Sequence, residues 1–236
     1  MMKKRACVAK YNENINWSGK LKDFGVEVII YDKSDSSLKN FDDKVIVNNN
    51  LIKLKNIGRE SHTYLKHIID NYNSLYDVEI FLQGDPGDHV SLDIVYNKIS
   101  NIDEDFEYID LSELKKYSCF SEKKLEEVRN LHPGYLHIYL IDDINQNIKN
   151  GIGEFLGDKD LFEMTFGNNY DPDMVFELNA FAMFAVSKKL ILRHPKELYQ
   201  KFLDLHNPEI SSEHQVSASP YKMEHFWKML FTYKKN

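Results

Sequence analysis

The chain has 236 residues, 42% of them hydrophobic and 28% charged, and its 30 basic and 37 acidic residues give a formal net charge of −7. This length and mixture are typical of a globular protein with one large domain, and they exclude a wholly disordered chain. The acidic balance argues against a general nucleic-acid binder, which needs a strongly positive surface.

Membrane and compartment signals are sparse. No stretch approaches the roughly 20 apolar residues that span a bilayer. The basic N-terminus runs into a polar turn at residues 10–14 instead of an apolar segment, so no signal peptide is expected. Cys7 and Cys119 are too few for a disulfide framework. The sequence therefore predicts a cytoplasmic protein and leaves open a peripheral association with the inner face of a membrane.

The first hundred residues alternate between strands and helices. Short apolar or β-branched runs predict strands at residues 6–9, 26–31, 44–47 and 78–83. Apolar residues at helical spacing predict helices at residues 17–24, from residue 60 until a break at 71–77, and at 90–99. This alternation predicts an α/β fold with a mostly parallel central sheet that is covered by helices.

The remainder of the chain is less regular. We expect residues 101–133 to be a charged surface segment, residues 135–140 to be a strand, and residues 142–173 to be long loops over a site. Residues 180–186 are expected to be buried, and helices are expected at 195–205 and 223–231. The apolar side of the last helix consists of Phe226, Trp227, Leu230 and Phe231.

Polar residues follow the predicted strands. They are Tyr11, Asn12 and Glu13 after the first strand, Asp32 after the second, and Asp85, Asp88 and His89 after the strand at 78–83. A further polar segment, residues 56–60, contains Gly58 and Arg59 at a predicted helix start, where free backbone N–H groups favour an anion. Ligands of open α/β sheets bind at the carboxyl ends of the strands, so these residues predict a ligand site.

Each of these groups also has a simpler explanation. Asp and Asn are common turn residues, and Arg59 could be an ordinary surface cation. Asp85, Asp88 and His89 carry donor atoms that divalent ions accept, yet they also fit a solvated Pro-Gly turn. The glycine-rich GxGxxG and P-loop signatures are absent, which disfavours ordinary Rossmann dehydrogenases and P-loop NTPases.

Taken in order, these segments resemble the GT-A glycosyltransferases over roughly the first 90 residues. Residues 6–13 resemble their opening strand, which ends in a Tyr-Asn-Glu turn under the nucleotide, and residues 28–35 resemble their second strand, whose terminal acid lies near the base or ribose. Residues 56–60 are similar to their Asn-x-Gly turn, and residues 80–85 fall where the strand with the Asp-x-Asp metal motif lies. The resemblance implies one GT-A-like domain over residues 1–236, with residues 1–100 as the nucleotide-binding half and residues 101–236 as the acceptor-side half.

Two other resemblances concern the rest of the chain. Residues 58–65, 81–86 and 184–189 resemble an uncharacterised family found in bacteria and fungi. Residues 182–189 and 219–227 resemble the core-2 type N-acetylglucosaminyltransferases, although two extra residues separate Pro220 from Glu224. This second resemblance implies that Glu224 is the catalytic base, and that basic side chains such as Lys222 neutralise the diphosphate without a metal.

Together the resemblances imply a glycosyltransferase, inverting in its stereochemistry, that moves a sugar from a nucleotide-sugar donor to a glycan or lipid-linked acceptor in cell-surface polysaccharide biosynthesis. The implied nucleotide-binding residues are Tyr11, Asn12, Glu13, Asp32, Gly58, Arg59 and Lys222, and the implied catalytic residues are Asp85 and Glu224.

The metal dependence and the rival functions stay open at this point. Asp85 and Asp88 are separated by two residues where the family has Asp-x-Asp, so either Mg²⁺ or Mn²⁺ is held by Asp85, Asp88 and His89, or the mechanism is independent of metal. One alternative function is a metal-dependent hydrolase that uses the same three residues. The other is a non-catalytic glycan-binding protein on the same fold.

Overall fold

The computed structural model describes residues 2–34, 50–113, 115–119, 122–131, 138–140, 159–167, 171, 173–179 and 181–234. Its strands are β1 (Lys4–Lys10), β2 (Val26–Asp32), β3 (Asn50–Lys53), β4 (Val78–Gln83), β5 (Tyr108–Asp110), β6 (Lys115–Cys119), β7 (Ile138–Leu140), β8 (Val175–Asn179) and β9 (Phe184–Ser187). Its α-helices are α1 (Arg59–Asn71), α2 (Leu92–Ser100), α3 (Glu122–Leu131), α4 (Lys159–Phe166), α5 (Lys188–Ile191), α6 (Lys196–Asp204) and α7 (Glu213–Thr232). Two 3₁₀ helices span Asn16–Phe24 and Pro86–Asp88.

Six strands form the central sheet in the order β3-β2-β1-β4-β9-β5. The first four run parallel, β9 pairs antiparallel with β4, and β5 pairs antiparallel with β9. A second sheet has the order β7-β6-β8. The protein is therefore an α/β protein with a mostly parallel, mixed central sheet, as the sequence predicted.

Helices cover both faces of the central sheet. Successive side chains of a strand point to opposite faces, so β1 and β4 each contribute to two buried clusters. Cys7 and Phe81 pack on the side of α1 and α7, whereas Val8 and Leu82 pack on the side of α2. The predicted apolar side of the last helix is buried in the first of these clusters.

The alternation of elements over the first hundred residues is confirmed, with β1, β2, β4, α1 and α2 close to their predicted positions. The helix expected at 17–24 is a 3₁₀ helix, which Gly25 ends in a left-handed conformation. The strand predicted at residues 44–47 lies outside the described residues, and the next described strand after β2 is β3.

Predictions for the second half were less accurate. The segment 101–133 is more than a charged surface, because it contains β5, β6 and α3. Most of the loops predicted at residues 142–173 lie outside the described residues. The prediction is wrong for the part that forms α4, where Leu161 and Phe162 are fully buried. The last helix begins at Glu213, ten residues earlier than predicted, where Ser212 provides a capping box.

A buried ionic network lies between α1 and the sheet. The Arg5 guanidinium donates to both carboxylate oxygens of Glu79, at 2.6 and 3.1 Å. His67 Nε2 lies 3.0 Å from Glu79 Oε2, and His67 Nδ1 lies 3.1 Å from the Tyr31 hydroxyl. Burial alone would raise the pKa of Glu79, but the hydrogen bonds from His67 and Arg5 outweigh burial and hold it below its usual value. The network therefore keeps an ionised carboxylate inside the core.

None of the helices in the described ranges is long and apolar enough to cross a membrane.

Candidate functional site

A cavity of about 320 Å³ opens at the carboxyl ends of β1 and β4. The order of the sheet changes direction here, because β2 and β3 lie on one side of β1 and β4 lies on the other. Such a switch point is where open α/β sheets bind their ligands. The cavity is lined by Ala9, Lys10, Tyr11, Glu13, Lys33, Asn56, Arg59, Glu60, Gln83, Gly84, Asp85, Asp88 and His89.

One wall of the cavity is acidic and belongs to the end of β4. Gly84 and Pro86 end that strand, and the Asp85 carboxylate accepts a hydrogen bond of 2.9 Å from the Gly87 N–H. Glu13 lies over Gly84, where a Cβ atom would come within 2.6 Å of its Cδ atom. Glycine at position 84 therefore allows the Glu13 carboxylate to reach the same wall as Asp85.

The other wall carries most of the positive charge. Lys10 ends β1, and its ammonium donates to the Tyr11 carbonyl at 2.8 Å. Arg59 begins α1, and its guanidinium lies 4.9 Å from the centre of the Tyr221 ring on α7. This cation–π contact brings the first half of α7 to the rim of the cavity. The cavity thus presents cations together with carboxylates, including Glu60, which lies 4.0 Å from the Arg59 guanidinium.

Asp32 lies behind this wall and is fully buried. Its carboxylate accepts from Lys53 and from the Ser34 hydroxyl, both at 2.6 Å, and pairs with Lys10 at 3.3 Å. Burial alone would raise its pKa, but the bonds from Lys53 and Ser34 outweigh burial, so the pKa lies below its usual value. Asp32 therefore holds Lys10 in place as an ionised carboxylate and does not line the cavity.

Two consecutive left-handed residues begin α1 at the cavity, Gly58 with φ 61° and Arg59 with φ 46°. A Cβ atom on Gly58 would come within 2.7 Å of His62 Cβ and 2.9 Å of His206 Cγ. Glycine is thus required here by the left-handed backbone and by the close approach of His206.

Gly58→Ala is expected to lower the free energy of unfolding by about 2–3 kcal/mol, because left-handed strain adds to the overlap with His206. Denaturant unfolding measures this change. Gly25→Ala is the matched control, because Gly25 has φ 70° but no atom within 4 Å of its Cβ position. The control should lose only about 1–2 kcal/mol, and equal losses in both variants would contradict the role of the His206 contact.

The family assignment covers both halves of the chain. A model described as a protein of unknown function (DUF3431) matches residues 7–236. The chain belongs to this family. No curated protein matches it. The match to the DUF3431 family includes the whole lining of the cavity.

In this DUF3431 protein, six of the predicted site residues line the same cavity: Tyr11, Glu13, Arg59, Asp85, Asp88 and His89. The residues of this set come from the ends of β1 and β4 and from the start of α1. Two cavity residues that sequence reasoning did not select are Lys10 and Lys33. Both stand directly at the ends of predicted strands, so the same signal that selected Glu13 could have found them.

Five predicted site residues are absent from the described lining of the cavity: Asn12, Asp32, Gly58, Lys222 and Glu224. Lys222 is almost completely buried on α7, and Glu224 on the same helix is half-buried. Burial raises the pKa of the Tyr64 hydroxyl, and Glu60 and Glu224 raise it further, so Glu224 lies near the α1 side of the core. The roles predicted for these residues stay predictions.

The three residues that the sequence suggested as metal ligands have suitable donor atoms, but their arrangement does not form a metal site. Asp85, Asp88 and His89 all line the cavity, and carboxylates and imidazole are suitable donors for divalent ions. However, in the part of the chain that the structure describes, no three His, Cys, Asp or Glu side chains are grouped so that they could hold a metal ion. The His89 ring is stacked on Phe181, with centroids 4.1 Å apart and an interplanar angle of 11°. The described residues therefore do not form a ready ligand set, and we derive no chemical step from a metal.

Proposed function

We propose that this protein is a glycosyltransferase that moves a sugar from a nucleotide-sugar donor to a glycan or lipid-linked acceptor. The observation that supports this proposal is the cavity at the switch point of the sheet, which is lined by both cations and carboxylates. The resemblance to GT-A glycosyltransferases supports it independently. The proposed setting, cell-surface polysaccharide biosynthesis at the inner face of a membrane, rests on that resemblance alone.

The two walls suit the two parts of a nucleotide sugar. The diphosphate is anionic, and the fork of N–H donors on Arg59 matches the oxygens of a phosphate group. The sugar presents hydroxyl groups, which donate to carboxylates such as Asp85 and Glu13. We therefore propose that the donor lies across the cavity, with its diphosphate toward Arg59 and its sugar toward the end of β4.

In the proposed reaction, a carboxylate takes the proton from an acceptor hydroxyl while the hydroxyl oxygen attacks the anomeric carbon of the sugar. The bond between that carbon and the diphosphate oxygen breaks, and the diphosphate leaves with the electron pair. Cations of the cavity stabilise the negative charge on the leaving group. The products are the glycosylated acceptor and a nucleoside diphosphate.

The base in this proposal is Glu224. The first half of α7 contributes to the cavity rim through the contact between Tyr221 and Arg59, and Glu224 lies three residues further along the helix. Residues at this spacing share a helix face, so Glu224 and Tyr221 lie on neighbouring turns of the same side. This placement supports the assignment of α7 to the acceptor side.

A ligand panel tests the proposal. The protein is incubated with common nucleoside diphosphates and nucleotide sugars, and thermal unfolding and product release are measured. A ligand present at a hundred times its Kd should stabilise the fold by about 2.7 kcal/mol, which appears as a higher Tm. No shift with any nucleotide, and no release of a nucleoside diphosphate, would contradict the proposal.

Divalent ions, glycans and two variants, added to this panel, separate the rival functions. A metal-dependent hydrolase should bind a divalent ion tightly without nucleotide, lose activity in Asp88→Ala and keep activity in Glu224→Gln. A non-catalytic glycan-binding protein should bind glycans and release no product from any donor.

A further inference from the structure

Lys33 is a buried cation in the wall of the cavity. It directly follows β2 and is only 4% exposed, yet it lines the cavity. Its ammonium donates to the carbonyl oxygens of Ile57, at 2.7 Å, and of Arg59. Both acceptors are neutral, so they satisfy two of the three N–H donors of the ammonium and leave its charge unbalanced.

Two other buried cations have a carboxylate partner within salt-bridge distance. Arg5 pairs with Glu79, and Lys10 pairs with Asp32. In the described part of the chain, Lys33 has no carboxylate within 4.0 Å. A buried charge without a counter-ion destabilises a fold, so a lysine in this position points to an anion that is supplied from outside.

We infer that Lys33 binds an anionic oxygen of the ligand that enters this cavity, and that the ligand carries a phosphate or a similar oxyanion. The inference rests on the proposed function for the identity of that ligand, where the oxyanion is the diphosphate of the donor. A free ammonium donor and the lack of a described carboxylate within 4.0 Å both favour this role for Lys33.

Burial has a measurable consequence for Lys33. It lowers the pKa of the Lys33 ammonium to about 8, although the nearby Glu60 carboxylate acts in the opposite direction. Of the other charged groups around it, Arg59 begins α1, and Lys10 on β1 is already paired with Asp32. An ammonium with a pKa of about 8 loses most of its charge between about pH 7 and about pH 9.

Three other titratable groups near Lys33, namely His62, His206 and Cys7, stay neutral over that range. Burial lowers the pKa of His62 to about 3 and that of His206 to about 4, so both rings are uncharged. Burial raises the pKa of the Cys7 thiol well above its usual value, so the thiol keeps its proton. Across the cavity, Asp85 and Asp88 are carboxylates, and His89 is exposed. The charge on Lys33 therefore controls how anion affinity varies with pH.

Sulfate is a suitable probe because its own charge does not change over this range. For the wild-type protein, we expect the affinity for sulfate to fall about tenfold between about pH 7 and about pH 9, in proportion to the protonated fraction of Lys33. Lys33→Arg should keep the affinity and lose this pH dependence, because arginine stays charged. Lys33→Met should bind sulfate roughly ten- to hundredfold more weakly at about pH 7.

Two control variants accompany this experiment, and specific outcomes would overturn the inference. Lys66→Met, which removes a partly exposed cation of α1 paired with Asp70, should leave the affinity unchanged, and His89→Gln should keep the pH dependence. An unchanged affinity in Lys33→Met, or a pH dependence that persists in Lys33→Arg, would overturn the inference. If the variants fail to fold, a flat pH profile of the wild-type protein overturns it.

Nucleoside diphosphates separate this inference from the proposed function. If they bind in a manner that depends on Lys33 but no sugar is transferred from any donor, the anion site stands and the glycosyltransferase proposal fails. If sugar is transferred while nucleotide affinity is the same in Lys33→Met, the transferase proposal stands and the role of Lys33 is refuted.

Discussion

Glu79→Gln is expected to lower the free energy of unfolding by about 3–5 kcal/mol, because it leaves a buried guanidinium without its counter-ion. The Arg5 side chain is almost fully buried and gives two hydrogen bonds to the Glu79 carboxylate. The neutral amide cannot balance that charge, and it also disturbs the contact with His67. Denaturant unfolding at neutral pH measures the loss.

Glu104→Gln is the matched control, because Glu104 is exposed and should change stability by less than about 0.5 kcal/mol. A double variant that replaces both Arg5 and Glu79 by apolar residues should recover much of the loss, since no buried charge remains unpaired. A loss in Glu79→Gln as small as that of the control would refute the importance of the network.

Acid should reduce the stabilisation that the ionised Glu79 carboxylate gives to the folded protein. The pKa of Glu79 is lower in the folded protein than in the unfolded chain, so its contribution is complete above the usual carboxylate pKa. The contribution is lost as the pH falls through the lowered pKa of the folded state. The difference in stability between the wild type and Glu79→Gln should therefore narrow at low pH.

The largest effect on activity is expected for Asp85→Asn, which should lower the rate of sugar transfer by about a hundredfold or more. Asparagine keeps a side-chain oxygen that can accept the bond from the Gly87 N–H, so the turn after β4 is preserved. What is lost is the negative charge on the wall that we propose contacts the donor. Release of the nucleoside diphosphate measures the rate.

Two further variants help to interpret the rate of sugar transfer in Asp85→Asn. Asp103→Asn removes an exposed carboxylate far along the chain from the cavity lining and should leave the rate unchanged. Glu224→Gln should lower the rate as strongly as Asp85→Asn if Glu224 is the base. Full activity in Asp85→Asn would contradict the proposed placement of the donor.

The parallel part of the sheet could be predicted because its signals are local. The β-branched run of β2 and the helical spacing of Tyr64, Leu65 and Ile68 on α1 are set by neighbouring residues. Strands β5 and β6 were missed because they are short and carry charged or polar residues, and their pairing with β9 and β8 depends on residues far away in the sequence. Such strands are defined by their partners and carry little signal of their own.

The residues of the cavity also divide into those with a local sequence signal and those whose position depends on long-range packing. Tyr11, Glu13 and Asp85 could be predicted to meet because the carboxyl ends of parallel strands share one edge of a sheet. Asp32 looked equivalent, but burial and its bonds to Lys10 and Lys53 place it behind the wall. Those contacts depend on side-chain packing between strands, which spacing along the chain does not reveal. For Lys33, too, only the three-dimensional arrangement shows that no described carboxylate lies within 4.0 Å of its ammonium.

The antiparallel strand β9 has a consequence for how the polypeptide is assembled. It covers the outer edge of β4, yet about a hundred residues separate the two strands along the chain. A truncated polypeptide that ends near residue 100 would leave the hydrogen-bonding groups on the β9 side of β4 unpaired and open to aggregation. During synthesis on the ribosome, this edge of β4 therefore stays without its partner strand until residues 184–187 have emerged.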